Sequence, residues 1–150
     1  MRYSLADYIV TIEPNDEAIK SFFGTLSIGG GNSGNCVGSI SLSIVQNLWE
    51  TTGYATGGWV HNKNYDRHGT CSIQINQMSP EVRSFVDLCN HYFSGDYGSV
   101  TITVTAARGE EIVPIATCAD CYIQKTADQT YGPSAENQNW VFTCGQIVYN

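Results

Sequence analysis

At 150 residues the chain has the length of one domain, and a fold of this size buries roughly 68–70% of the surface its unfolded form exposes, enough for a core without metal or disulfide staples. Its 14% charged residues fall well short of the about 25% of an ordinary soluble domain, so Ser, Thr, Asn, Gln and Gly must cover the surface, a chemistry that suits contact with other subunits as well as with water. Seven basic against fourteen acidic residues, a net charge of −7, argue against a surface that grips phosphate backbones by counterion release.

Residues 3–12 carry Tyr3, Leu5, Tyr8, Ile9, Val10 and Ile12 and read as a first strand, broken by Glu13-Pro14-Asn15-Asp16. Phe22, Phe23, Leu26 and Ile28 lead into a polar glycine-rich segment, 29–35, that is expected to be a mobile loop. Residues 39–45 place Ile40, Leu42 and Ile44 on one face and serines on the other, and residues 70–77 repeat the pattern with Cys71, Ile73 and Ile75. These two runs are natural antiparallel neighbours.

The connection between them, about residues 49–69, is longer than compact domains tolerate without a purpose. Trp49, Tyr54, Trp59, Val60 and Tyr65, with Asp66 and Arg67, make it too apolar for a free linker, and aromatics of this kind are enriched in protein contact surfaces. We read it as an inter-subunit arm.

Ser79 as N-cap and Pro80 at the first helical position open a helix over about residues 80–93, with Val82, Phe85, Val86, Cys89 and Phe93 as its inward stripe and Gly95 as its stop. Residues 99–106 alternate through Val100, Ile102 and Val104, turn at Arg108-Gly109-Glu110-Glu111, and return through residues 112–116. Two further strands follow, 118–125 and 139–149, separated by a polar segment with Gly132-Pro133 at its centre. The expectation is a mainly β fold: a single antiparallel β-sandwich or barrel over residues 1–150 with one flanking helix, without internal repeats.

No stretch approaches the length of a membrane span, and the N-terminus lacks the apolar run of a signal peptide, so the expected setting is the cytosol with no membrane partner. Under reducing conditions the six cysteines (Cys36, Cys71, Cys89, Cys118, Cys121, Cys144) are expected as small core residues rather than bridges. Cys118-Ala119-Asp120-Cys121 has the spacing of a redox pair or half a zinc knuckle, but the other half and the βαβ context are missing. His61, His68 and Asp66 are scattered for a metal site, Glu110-Glu111 point apart on a turn, and no nucleophile or phosphate-loop motif occurs. No catalytic residue, metal or cofactor is assigned. A β module binding sugars on Tyr54, Trp59 and Tyr65 is the alternative reading, and a small enzyme using Cys118 or Cys121 is a distant third.

The order of the pieces resembles a known family. Tyr3-Ser4-Leu5-Ala6-Asp7 opens the chain, Asn64-Tyr65-Asp66-Arg67-His68-Gly69-Thr70 precedes Ser72-Ile73-Gln74-Ile75-Asn76-Gln77 and Ser79-Pro80, and Trp140-Val141-Phe142-Thr143-Cys144 lies near its close. This is similar to the tail tube proteins of contractile-tailed bacteriophages over most of the chain, best over residues 64–93 and at both ends. The six cysteines and the polar 29–35 loop depart from the family pattern.

The resemblance implies a structural virion protein without enzymatic activity. Its copies stack as hexameric rings into the hollow inner tail tube, inside a contractile sheath. The implied partners are other copies, the sheath protein, a tape measure protein and a baseplate tube initiator, with DNA passing through the lumen without specific binding. It also implies that arm residues 49–69 reach an adjacent subunit, and that the particle is assembled in the host cytoplasm. An acidic lumen repels phosphates, and Glu13, Glu50, Asp120, Asp128 and Glu136 are the candidate acids facing it.

Overall fold

The computed structural model describes residues 3–29, 37–95, 98–108 and 111–150. Its order is a single 3-10 turn (Leu5–Asp7), β1 (Tyr8–Pro14), α1 (Glu17–Lys20), β2 (Leu26–Gly29), β3 (Val37–Ile44), β4 (Trp49–Gly53), β5 (Trp59–Lys63), β6 (Gly69–Asn76), α2 (Glu81–Phe93), β7 (Val100–Arg108), β8 (Glu111–Ile123) and β9 (Asn137–Tyr149). Among the described residues, seven strands form one antiparallel sheet in the order β2-β1-β7-β8-β9-β6-β3, while β4 and β5 pair only with each other. Of sandwich and barrel, the chain adopts the second in incomplete form: one sheet curled into a half-barrel, with α2 on its flank.

Strand pairing follows from alternation. Direct partners share a face, so Leu42, Cys71, Phe142 and Ile123 form one apolar row, Ile40, Ile73 and Trp140 a second, and Ile12, Ile102, Cys118 and Ile147 a third. These rows make the core, which α2 closes: Phe85 lies 5.4 Å from the Trp140 ring and 5.6 Å edge-on from Phe142. α1 adds Ile19, buried with the following Phe23. At Gly69 a side chain has no room, since a Cβ there would lie 2.0 Å from the Ser43 carbonyl oxygen.

Several expectations are corrected. The first strand starts at Tyr8 and runs through Pro14, because Ser4 Oγ accepts from the Ala6 amide and holds the preceding residues in a tight turn. α2 runs from Glu81, and Pro80 before it already has helical geometry at φ −60 and ψ −30, with the Val82 and Arg83 amides bonded to the carbonyls of Ser79 and Pro80. Phe93 is 82% exposed and leaves the inward stripe, whose missing member is Leu88, fully buried. Gly95 ends the helix in the left-handed region as expected, at φ +93, its amide bonded to the Tyr92 carbonyl.

The runs 112–116 and 118–125 are one strand, β8. Pro114 is accommodated where the β7–β8 register shifts, so its missing N–H disrupts no regular ladder position. The polar loop falls outside the described residues except for Gly29, as does the turn at 109–110 and Cys36. Among the described residues no helix is long and apolar enough to cross a membrane.

Candidate functional site

The arm of the sequence reading is a β-hairpin held away from the sheet. Trp49 faces Lys63, Thr51 faces His61 and Gly53 faces Trp59, so both tryptophans share one side; Thr52 and Val60 face each other on the opposite side. Tyr54 enters the turn, its amide bonded to the Gly58 carbonyl and its own carbonyl accepting from Gly57. Every residue from 49 to 63 is exposed, Trp49 by 53% and Trp59 by 67%. Two strands with neither face covered are marginal in water, and these two leave a run of large apolar side chains exposed.

Its root is fastened firmly. The Val45 amide bonds to the His68 carbonyl, the Asn64 amide to the Leu48 carbonyl, and the Ile147 amide of β9 to the Arg67 carbonyl. Asn64 Oδ1 accepts from the Asp66 amide, Asp66 Oδ1 from the His68 amide, and Asp66 Oδ2 meets His68 Nδ1 at 2.5 Å. The bond from the His68 amide comes first among the causes holding the Asp66 carboxyl below the usual range, followed by the His68 ring. The Lys63 ammonium sits 5.1 Å from the centre of the Tyr65 ring and 5.8 Å from that of Trp49, tying hairpin to root. Thus the structure separates the arm residues into two groups. Trp49, Tyr54, Trp59 and Val60 are on the hairpin, whereas Tyr65, Asp66 and Arg67 belong to the root, beside a cavity of about 390 Å³ also lined by Ile44 and Leu48.

A second surface, which the sequence reading did not assemble, is the sheet face opposite the core. Ser39, Gln74 and Asn139 form one cross-strand row, Ser43, Thr70 and Thr143 another, and Thr11, Thr103 and Thr117 a third. Ser72 Oγ donates to Asn139 Oδ1 at 3.0 Å, and Thr101 Oγ1 to Asn15 Oδ1 at 2.8 Å. Glu13, partnered with Thr101, adds a carboxylate to this hydroxyl and amide face. The alternating serines of 39–43 were its legible signal; their merger with Thr and Asn from other strands depends on register.

The candidate acids do not converge. Glu13 is on this face, Glu50 on the hairpin, Asp120 at a distorted point of β8, and Asp128 and Glu136 in the segment between β8 and β9, all exposed. His61 bonds to Thr51 on the hairpin at 2.7 Å and His68 to Asp66 at the root. Among the described residues no group of three or more His, Cys, Asp or Glu is arranged to hold a metal ion. Cys71, Cys89, Cys118, Cys121 and Cys144 are buried and unbridged.

Comparison with solved structures finds the same fold in contractile injection machines. The chain aligns over 100% of its length with 99% of the sheath/tube terminator of the extracellular contractile injection system PVC, at TM-score 0.64 and 12% identity. It aligns over 100% of its length with 93% of the tube-terminating cap of the anti-feeding prophage, at 0.62 and 10%. A chain of the PVC sheath-tube complex in its extended state gives 0.62 and 12%, with 99% and 91% covered. Identities this low establish the fold alone. A search among curated proteins finds no match. At the level of sequence, however, the family described as the bacteriophage PhiTE tail tube protein matches residues 6–149, nearly the whole chain. The chain therefore belongs to the bacteriophage PhiTE tail tube protein family.

Proposed function

We propose that the chain forms hexameric rings that stack into a hollow tail tube within a contractile sheath, a conduit through which phage DNA leaves the particle. Its role is mechanical, with no catalytic residue or cofactor. The observation that carries this reading is the hairpin: a member of a tail tube family presents two tryptophans and a tyrosine on an element that covers nothing of its own. In the tube, Trp49, Tyr54, Trp59 and Val60 pack on an adjacent subunit, while Tyr65, Asp66 and Arg67 set the angle at which the hairpin leaves the body.

The hydroxyl- and amide-rich sheet face is the lumen wall. A wall of hydroxyls and amides offers no cation to hold a phosphate, and Glu13 adds repulsion. Glu13 is the acid this reading places at the lumen first. Glu50, Asp120, Asp128 and Glu136 reach it only where the hairpin, β8 and the 124–136 segment border it in the ring. Sheath protein, a tape measure protein and a baseplate tube initiator are the other partners, and the tube is built in the host cytoplasm and carried in the virion.

Negative-stain electron microscopy of the purified chain, with light scattering and with or without tube initiator, tests the reading. Six-fold rings or hollow tubes are expected. Particles that stay monomeric at high concentration with the initiator present overturn it.

A further inference from the structure

Four thiols that the tube reading does not use meet in the middle of the sheet: Cys71 on β6, Cys118 and Cys121 on β8, and Cys144 on β9, all buried in the core. Strand alternation sends residues three apart to opposite faces. Here β8 has one residue more than β7 between the Ile102–Cys118 and Val100–Cys121 pairs, and Asp120 takes up the excess at φ +54, in the left-handed region. The distortion turns both Cys118 and Cys121 inward.

Cys121 is then the direct partner of Cys144 across the β8–β9 ladder, and their sulfurs stand 3.1 Å apart. Direct antiparallel partners have Cα atoms about 4.5–5.5 Å apart, inside the roughly 4.4–6.8 Å that a disulfide spans. Beside them the ladder omits the pair Asp120–Gly145, which marks a local weak point in an otherwise continuous pairing. Cys118 is the competitor. Its contacts with Cys144 and Cys71 favour its thiolate, while contact with Cys118 and burial push Cys71 and Cys144 upward.

We propose that Cys121 and Cys144 are a redox pair that closes into a cross-strand disulfide in an oxidising thiol–disulfide environment, stapling β8 to β9 at the centre of the sheet. The oxidant is a small-molecule disulfide. One cysteine, deprotonated as the ladder opens beside Asp120, attacks a sulfur of that disulfide; the first thiolate leaves and takes up a proton. The other cysteine loses its proton, displaces the second thiolate from the mixed disulfide, and completes the protein S–S bond. Two protein S–H bonds and one small-molecule S–S bond become one protein S–S bond and two small thiols. The pair reacts slowly because it is buried, and once closed it is shielded from reductant for the same reason.

The test is to incubate the purified full-length chain with cystamine, alkylate the remaining thiols in urea, digest without reductant and sequence the linked peptides by mass spectrometry. Titratable thiols should fall by two from the six of the chain, with Cys121 joined to Cys144 and Tm raised by roughly 5–10 °C until reductant is added. Cys118→Ala should keep the crosslink and Cys121→Ala should lose it. If either variant fails to fold, backbone fragmentation of the wild-type peptide between Cys118 and Cys121 locates the bond instead. An unchanged thiol count, or a bond that uses Cys118 or Cys71, overturns the proposal.

Discussion

In the seven-stranded sheet every strand lends a row of side chains to a covered core, whereas β4 and β5 cover nothing. Trp140 is sealed beneath Phe85 of α2; Trp49 and Trp59 are more than half exposed. The same residue type is therefore a fold determinant in one region and an exposed apolar surface in the other. Hydrogen-bonded pairing is common to both regions, so the difference lies in what each strand does with its faces. Folding of the chain draws on the sheet; in the proposed tube, association draws on the hairpin.

Substitutions at the two kinds of tryptophan should separate these roles. Trp140→Ala should cost about 3–5 kcal/mol of stability by leaving a cavity under Phe85, read as a lower urea midpoint of the monomer; a shift of less than 1 kcal/mol would mean that the core closes without it. Gly69→Ala should cost roughly 1–3 kcal/mol, because its methyl meets the Ser43 carbonyl oxygen and lies 2.8 Å from Ile147 Cδ1. Hydrogen exchange should quicken across β3 and not across the hairpin. Trp59→Ala should leave monomer stability within about 0.5 kcal/mol, yet shorten or abolish tubes under the microscope. Loss of stability without loss of tubes would reverse the comparison.

The smallest effect is at the hairpin root. Because the Asp66 carboxyl is held low by its bonds to His68, its contribution is present above the unfolded carboxylate value of about 3.9 and fades as pH falls through the lower folded value. The His68 amide resonance should follow that acid transition, and Asp66→Asn should remove it; a His68 amide that moves equally in both proteins would place the titration elsewhere.

What was legible in the sequence divides along the same line. β3 and β6 showed themselves because burial of one face forces alternation, and the interior of α2 did so through its helical period. The hairpin strands were missed as strands because with no buried face nothing imposes a two-residue period on residues 49–63. α1, at four residues, is shorter than any helical pattern that can be counted. Phe93 obeyed the spacing but lies at the last position of α2, exposed, while Leu88 lay between the positions first chosen. The polar face and the thiol cluster were hidden for another reason: Ser39 meets Gln74 and Gln74 meets Asn139, and Cys71 meets Cys118, through strands brought together from distant parts of the chain.

The order of strands in the sheet also fixes a schedule. β1 finds its long partner only when β7 exists, Ile12 pairing with Ile102, and the middle of the sheet is built from β8 and β9, which come after every other strand. During synthesis the aromatic hairpin, formed by neighbouring residues, leaves the ribosome well before the body that carries it is complete. In the proposed tube, such a nascent chain carries its exposed aromatics before the sheet that would form the wall is complete, and the subunit becomes fit to join others once β9 has paired. On that proposal the topology acts as a timer that separates making the building block from using it.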